Sequence, residues 1–125
     1  MIFDTDILIW VQRGNLKAAG LIEKAEERMI SIYSYMEMVQ CAIPKSQHKI
    51  MYAFLREYDF KIQSLSEKIG HRAAIYIEEY ALSSSLCAGD AIIAATAVEN
   101  NLGIATTNNK RFKCIKDLQF NLFKP

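Results

Sequence analysis

At 125 residues the chain is the size of one domain, expected to span 1–125, and is long enough to bury a sizeable core without disulfide or metal staples. Fifteen basic and fourteen acidic side chains leave a net charge of +1, so overall charge gives no argument for a nucleic-acid partner. With 51% hydrophobic and 23% charged residues the chain is not of the disordered class, and no run approaches the roughly eighteen apolar residues of a membrane span.

Residues 1–4 are a short apolar run closed by an acid, the pattern of a buried parallel strand. Residues 7–11 continue apolar as a helical turn until Gly14-Asn15 interrupts. Residues 16–28 set Ala18, Leu21, Ile22 and Ala25 on one side and charges on the other, an amphipathic helix. Residues 29–33 are the next strand, and 34–43 are a helix that stops at Pro44. Residues 45–58 give another helix, with Ile50, Ala53, Phe54 and Tyr58 on one face. A short strand over 60–65 precedes a long helix over 66–82, striped with Ile69, Ala73, Tyr76, Ile77 and Tyr80. The three serines at 83–85 form a loop. Residues 90–99 are apolar nearly all round, so this helix is central and buried. Gly103 ends it, Ile104-Ala105 begins a strand, and residues 118–123 supply the last one. Strands alternating with helices predict an α/β fold with a parallel sheet covered on both faces and right-handed crossovers.

Cys41, Cys87 and Cys114 are odd in number, widely spaced and set in apolar stretches, and are expected to be buried free thiols of a reducing, cytoplasmic compartment. His48 and His71 stand alone and no C-x-x-C occurs, which argues against structural zinc. The N-terminus opens on Met1-Ile2-Phe3-Asp4 without a basic or apolar leader, and no membrane association is expected. Trp10 is read as core.

In open α/β sheets the functional crevice lies beyond the carboxyl ends of the strands. Asp4 ends the first strand, Glu37 follows the second, Asp90 opens the buried helix, and Asn108 follows the strand at 104–105. Three carboxylates in one small volume repel one another unless a cation neutralises them. Hard divalent ions prefer such oxygen ligands, and one held here suits metal-assisted phosphodiester hydrolysis.

The segments Phe3-Asp4-Thr5-Asp6-Ile7-Leu8-Ile9, Tyr35-Met36-Glu37, Gly89-Asp90-Ala91-Ile92-Ile93-Ala94-Ala95-Thr96-Ala97 and Thr106-Thr107-Asn108-Asn109-Lys110-Arg111-Phe112 resemble the PIN domain, in order and at about its spacing. The likeness spans nearly the whole chain and is nearest to toxins of the VapBC type. It implies an α/β/α sandwich with a four- or five-stranded, mainly parallel sheet and Mg²⁺- or Mn²⁺-dependent cleavage of RNA. It further implies a cognate antitoxin and a homodimer. Asp4, Glu37 and Asp90 match the family's acidic positions and would hold the metal, with Asn108 as the fourth catalytic position and Asp6 and Thr106 in support. Many members carry Asp where this chain has Asn108; an amide adds no charge and favours one ion over two. Only three residues precede Asp4, so the first strand is short or the start lies upstream.

Other readings of the same residues compete. Asp4 could simply end a strand in a turn. Ser34-Tyr35-Met36-Glu37 fits a capping box, which would occupy Glu37 with the helix terminus. Asp90 would also suit a helix N-terminus, although a buried lone acid is costly unless paired or metal-bound. Lys110, Arg111, Lys113 and Lys116 form one compact basic patch, either a solvated face or a set of phosphate contacts that position RNA without reading it. Two rival functions remain. Asp4-Thr5-Asp6 matches the first motif of a haloacid dehalogenase-like phosphatase, but residues 91–98 lack the later acid and Glu37 would have no role. Asn108 keeps open a catalytically attenuated PIN-like module that binds RNA or protein.

Overall fold

The computed structural model describes residues 1–42 and 45–125. At its centre lies β1 (Ile2–Phe3), flanked by β2 (Met29–Ser31) and β4 (Ile104–Thr106). The edges are β3 (Lys61–Gln63) and β5 (Phe120–Leu122), giving the order β3-β2-β1-β4-β5 with every neighbouring pair parallel. Ile2 pairs with both Met29 and Ile104, and Phe3 with Ala105.

Successive residues of a strand point to opposite faces of a sheet. Ile2, Met29 and Ile104 accordingly enter one buried cluster, whereas Phe3, Ile30 and Ala105 enter the other. The second cluster is covered by α1 (Thr5–Gln12), α2 (Leu16–Lys24), α3 (Ile32–Cys41) and α4 (Lys45–Glu57). The first is covered by α5 (Glu67–Tyr80), α6 (Ala88–Glu99) and α7 (Asn109–Phe112). The result is the expected three-layer α/β/α arrangement. Burial of β1 on both faces explains why 1–4 reads as a continuous apolar run up to Asp4 rather than an alternating one. Helix α6 is buried along Gly89, Asp90, Ala91 and from Ile93 to Ala97, as its all-apolar composition requires. Among the described residues no helix is long and apolar enough to cross a membrane.

Several boundaries differ from the sequence reading, each for a local reason. Asp4 is an N-cap, so a full two-turn helix starts at Thr5 instead of a single turn at 7. Helix α2 stops at Lys24, not 28, because the Arg28 guanidinium folds back onto its last carbonyls. Arg28 donates to Ile22 O (2.7 Å), Glu23 O (3.0 Å) and, across to the end of α4, Tyr58 O (2.9 Å). Strand β2 ends at Ser31 rather than 33, since Ser31 Oγ accepts from Ser34 N and caps α3 (3.0 Å). The predicted stop at Pro44 lies outside the described residues. On α4 the buried residues are Met51 and Leu55, and Ile50 faces out at 69% exposure, so its inner face is rotated by one residue. The short α7 had no periodic pattern to announce it. The cysteines are free, as expected, but not buried: Cys41 and Cys87 are exposed and Cys114 half-buried. Cys41 ends α3 and Cys87 caps α6, both at exposed helix termini, while Cys114 follows α7 and packs partly against the first cluster. Trp10 is half-buried against the α1–α4 cluster.

Candidate active site

The chain builds β1, β2 and β3 outward in one direction, then returns to add β4 and β5 on the other side of β1. The order therefore reverses between β1 and β4, and the loops leaving their carboxyl ends diverge to opposite faces. That divergence opens a crevice. Asp4 follows β1 directly and the 106–108 segment follows β4, so the topology itself puts both at the crevice.

A pocket of about 340 Å³ lies there, lined by Asp4, Asp6, Glu37 and Asp90 together with Tyr33 and Arg111. Asp4 is 7% exposed. Its Oδ1 accepts from Thr5 N (2.8 Å) and its Oδ2 from the Thr106 hydroxyl (2.8 Å). Burial, and then the neighbouring Asp6, push its pKa up to about 7. Asp6 Oδ2 accepts from both the backbone N–H (3.1 Å) and the hydroxyl of Thr107, which ties α1 to the segment after β4. The other oxygen, Asp6 Oδ1, is buried and accepts no hydrogen bond from any of the described residues.

Glu37 is free of the capping box that its sequence suggested. Ser31, not Ser34, caps α3, and Ser34 is a buried residue within the helix. Glu37 Oε1 instead accepts from the Thr5 hydroxyl (2.7 Å), which also lies 2.9 Å from Ser34 Oγ. Asp90 does cap its helix: Oδ2 accepts from Cys87 N (3.1 Å). Its Oδ1 lies 3.5 Å from Arg111 Nη1.

The remaining expected residues sit at the margin. Asn108 does not line the pocket; its N–H donates to Thr106 Oγ1 (3.0 Å), one bond removed from Asp4. Lys110 and Lys113 are exposed and do not line it either, so of the basic patch only Arg111 turns inward. Six pocket residues were not among the expected site residues: Thr5, Tyr33, Cys87, Gly89 and the apolar Ile9 and Ile93. Thr5 could have been suspected as a hydroxyl beside the first acid. Gly89 lets the Tyr33 ring lie against the start of α6, since a Cβ there would overlap the ring and make the phenol shift. Tyr33 and Cys87 line the pocket with no pattern in the sequence to mark them.

The arrangement suits a divalent cation. A buried carboxyl raised to about 7 and an orphaned carboxylate oxygen both report negative charge without enough compensation. Among the described residues no three acidic, histidine or cysteine side chains close into a ready ligand set for one ion. Mg²⁺ asks for less, because it commonly keeps several waters and takes only one or two carboxylates directly.

The PIN domain model matches residues 1–118, and the chain belongs to the PIN domain family. Its structure is similar to a toxin–antitoxin complex from Klebsiella pneumoniae (32% identity, 94% of this chain and 93% of that one, TM-score 0.75). It is also similar to VapBC2 from Rickettsia felis bound to a DNA fragment from their promoter (23% identity, 99% and 100%, TM-score 0.76). VapBC-1 from nontypeable Haemophilus influenzae gives 22% identity over 98% of both chains, with a TM-score of 0.78. Comparison with curated protein sequences gave no match. PIN domains are generally nucleases.

Proposed function

We propose that the chain is a Mg²⁺- or Mn²⁺-dependent endoribonuclease and the toxin of a toxin–antitoxin pair. The observation that carries the reading is the convergence of Asp4, Glu37 and Asp90, from three distant segments, on one pocket at the sheet's switch point. Likeness to toxin–antitoxin complexes supports an antitoxin protein as partner. A homodimer and a cytoplasmic setting follow from the same reading, as does one domain covering 1–125.

Asp4, Glu37 and Asp90 would hold the ion, one or two of them directly and the rest through its waters, and when bound it supplies the charge that polarises a phosphodiester and lowers the pKa of water. The chain's own residues do the positioning. Thr5 N–H and the Thr106 hydroxyl fix the two oxygens of Asp4, and the Thr5 hydroxyl aims Glu37. Cys87 N–H holds one oxygen of Asp90 and leaves the other facing the pocket. Arg111 offers a guanidinium to a phosphate, with Lys110 and Lys113 outside it for flanking phosphates. Asn108 contributes no charge, which favours one ion over two.

A phosphatase of the haloacid dehalogenase type is disfavoured. Its acid/base would be Asp6, whose Oδ2 is held twice by Thr107. The deciding experiment incubates the purified protein with total cellular RNA in Mg²⁺, Mn²⁺ or EDTA, beside Asp4→Asn and Asp90→Asn. Discrete cleavage that needs the metal and disappears in both variants supports the nuclease. A folded, Mn²⁺-binding wild type that leaves RNA intact supports the attenuated binding module instead.

A further inference from the structure

Four carboxylates face the pocket, and among the described residues Arg111 is the one cation that lines it. Arg111 Nη1 lies 3.5 Å from Asp90 Oδ1. Asp90 Oδ2 is already taken by Cys87 N–H, so Oδ1 is the oxygen left for a positive partner. The pair is lopsided: the Arg111 side chain is 50% exposed, that of Asp90 only 8%. A buried carboxylate depends on a nearby cation, whereas a half-exposed guanidinium returns to water at little cost. The Arg111 guanidinium makes no hydrogen bond to another described residue, so nothing else anchors it.

We propose that Arg111 is a resident counter-cation. It neutralises Asp90 in the metal-free protein, competes with the incoming divalent ion for Asp90 Oδ1, and is released toward an RNA phosphate when that ion binds. The inference rests on the metal-nuclease reading, but the competition itself can be measured without any RNA. Short α7 carries Arg111 on the segment that Asp6 clamps through Thr107, so the guanidinium pivots from a fixed backbone.

The test is a Mn²⁺ titration followed by the electron paramagnetic resonance signal of the free ion, at low salt. It compares wild type, Arg111→Gln and, as a control for net charge, Lys116→Gln. Lys116 is exposed and does not line the pocket. Repulsion between a divalent ion and a half-exposed guanidinium is partly screened, so Arg111→Gln should bind Mn²⁺ about three- to tenfold more tightly. Lys116→Gln should change the affinity by less than about twofold. In wild type, the Arg111 Nε–H resonance should shift on addition of Mg²⁺. Unchanged or weaker affinity in Arg111→Gln, or equal tightening in Lys116→Gln, overturns the inference and leaves the nuclease reading standing. Absence of Mn²⁺ binding in all three overturns both. Tightening in a protein that does not cleave RNA supports the counter-cation and removes the nuclease reading alone.

Discussion

Asp4→Asn should make the metal-free protein more stable, although it removes the most deeply set acid of the site. The Asp4 carboxyl titrates at about 7 in the folded chain against 3.8 in the open one, chiefly through burial and then through Asp6. Between those values the native state holds a proton that the unfolded state has lost. Stability from this group is therefore fully present below about 4, declines as the pH rises to about 7, and is flat above. At about 1.4 kcal/mol per unit, ionised Asp4 lowers stability at pH 8 by about 4 kcal/mol relative to pH 4. Asparagine keeps the shape. Its Oδ1 can accept from Thr5 N, while its amide can donate to Thr106 Oγ1 in place of accepting from it. The Thr106 proton then lacks its acceptor, a loss of about 1 kcal/mol. The net gain at pH 8 is about 3 kcal/mol. Urea denaturation in EDTA, at pH 8 and pH 4.5, measures it as the difference between variant and wild type, in which other acids cancel. The gap should be open at pH 8 and nearly closed at pH 4.5. A variant no more stable than wild type at pH 8, or a gap that ignores pH, refutes the argument that Asp4 is an uncompensated charge. Saturating Mg²⁺ should reverse the order, because only wild type gains from tight binding.

Three further substitutions probe the scaffold around the acids. Thr5→Val removes the hydroxyl that aims Glu37 and should cut the kcat of RNA cleavage by about tenfold or more, with a loss of only about 1–2 kcal/mol in a thermal melt. Gly89→Ala places a Cβ against the Tyr33 ring and should drive the phenol out of the pocket. Cleavage should fall, and in a Tyr33→Ser background the same change should have no further effect; additive losses would show that Tyr33 is not the obstacle. Arg28→Ala takes three carbonyl contacts from the ends of α2 and α4 and should cost about 1–3 kcal/mol by urea denaturation. Mn²⁺ affinity should stay unchanged, since Arg28 lies at the opposite end of the sheet.

The layers were legible because buried parallel strands and amphipathic helices leave different traces: an apolar run at 1–4, a 69-73-76 stripe on α5. The ends were not, because they are set by single side chains acting across the fold. Arg28 terminates α2 from four residues beyond it, and no periodicity records that. Ser31 and Ser34 are both acceptable caps in sequence, yet the strand pairing of Ser31 with Gln63 fixes where β2 stops and thus which serine caps. The cysteines misled because apolar neighbours in sequence need not be neighbours in space.

The acids show why a motif can be read correctly and its role still missed. Capping and ion binding look like alternatives in sequence, as if a carboxylate must be used up by one of them. A carboxylate has two oxygens, and a cap contact occupies one lone pair of one of them. Glu37 escaped its expected cap and turned to Thr5, while Asp90 and Asp4, the less suspect pair, both hold helix N-termini. In Asp90 the division is clean: Oδ2 faces the backbone of Cys87 and Oδ1 faces the pocket. The cap then serves the chemistry, for it fixes the rotamer of an acid that would otherwise turn away from its neighbours' charge. On this argument a lone helix-capping aspartate at the carboxyl end of a parallel sheet is not evidence against a site, and is part of how the site is held.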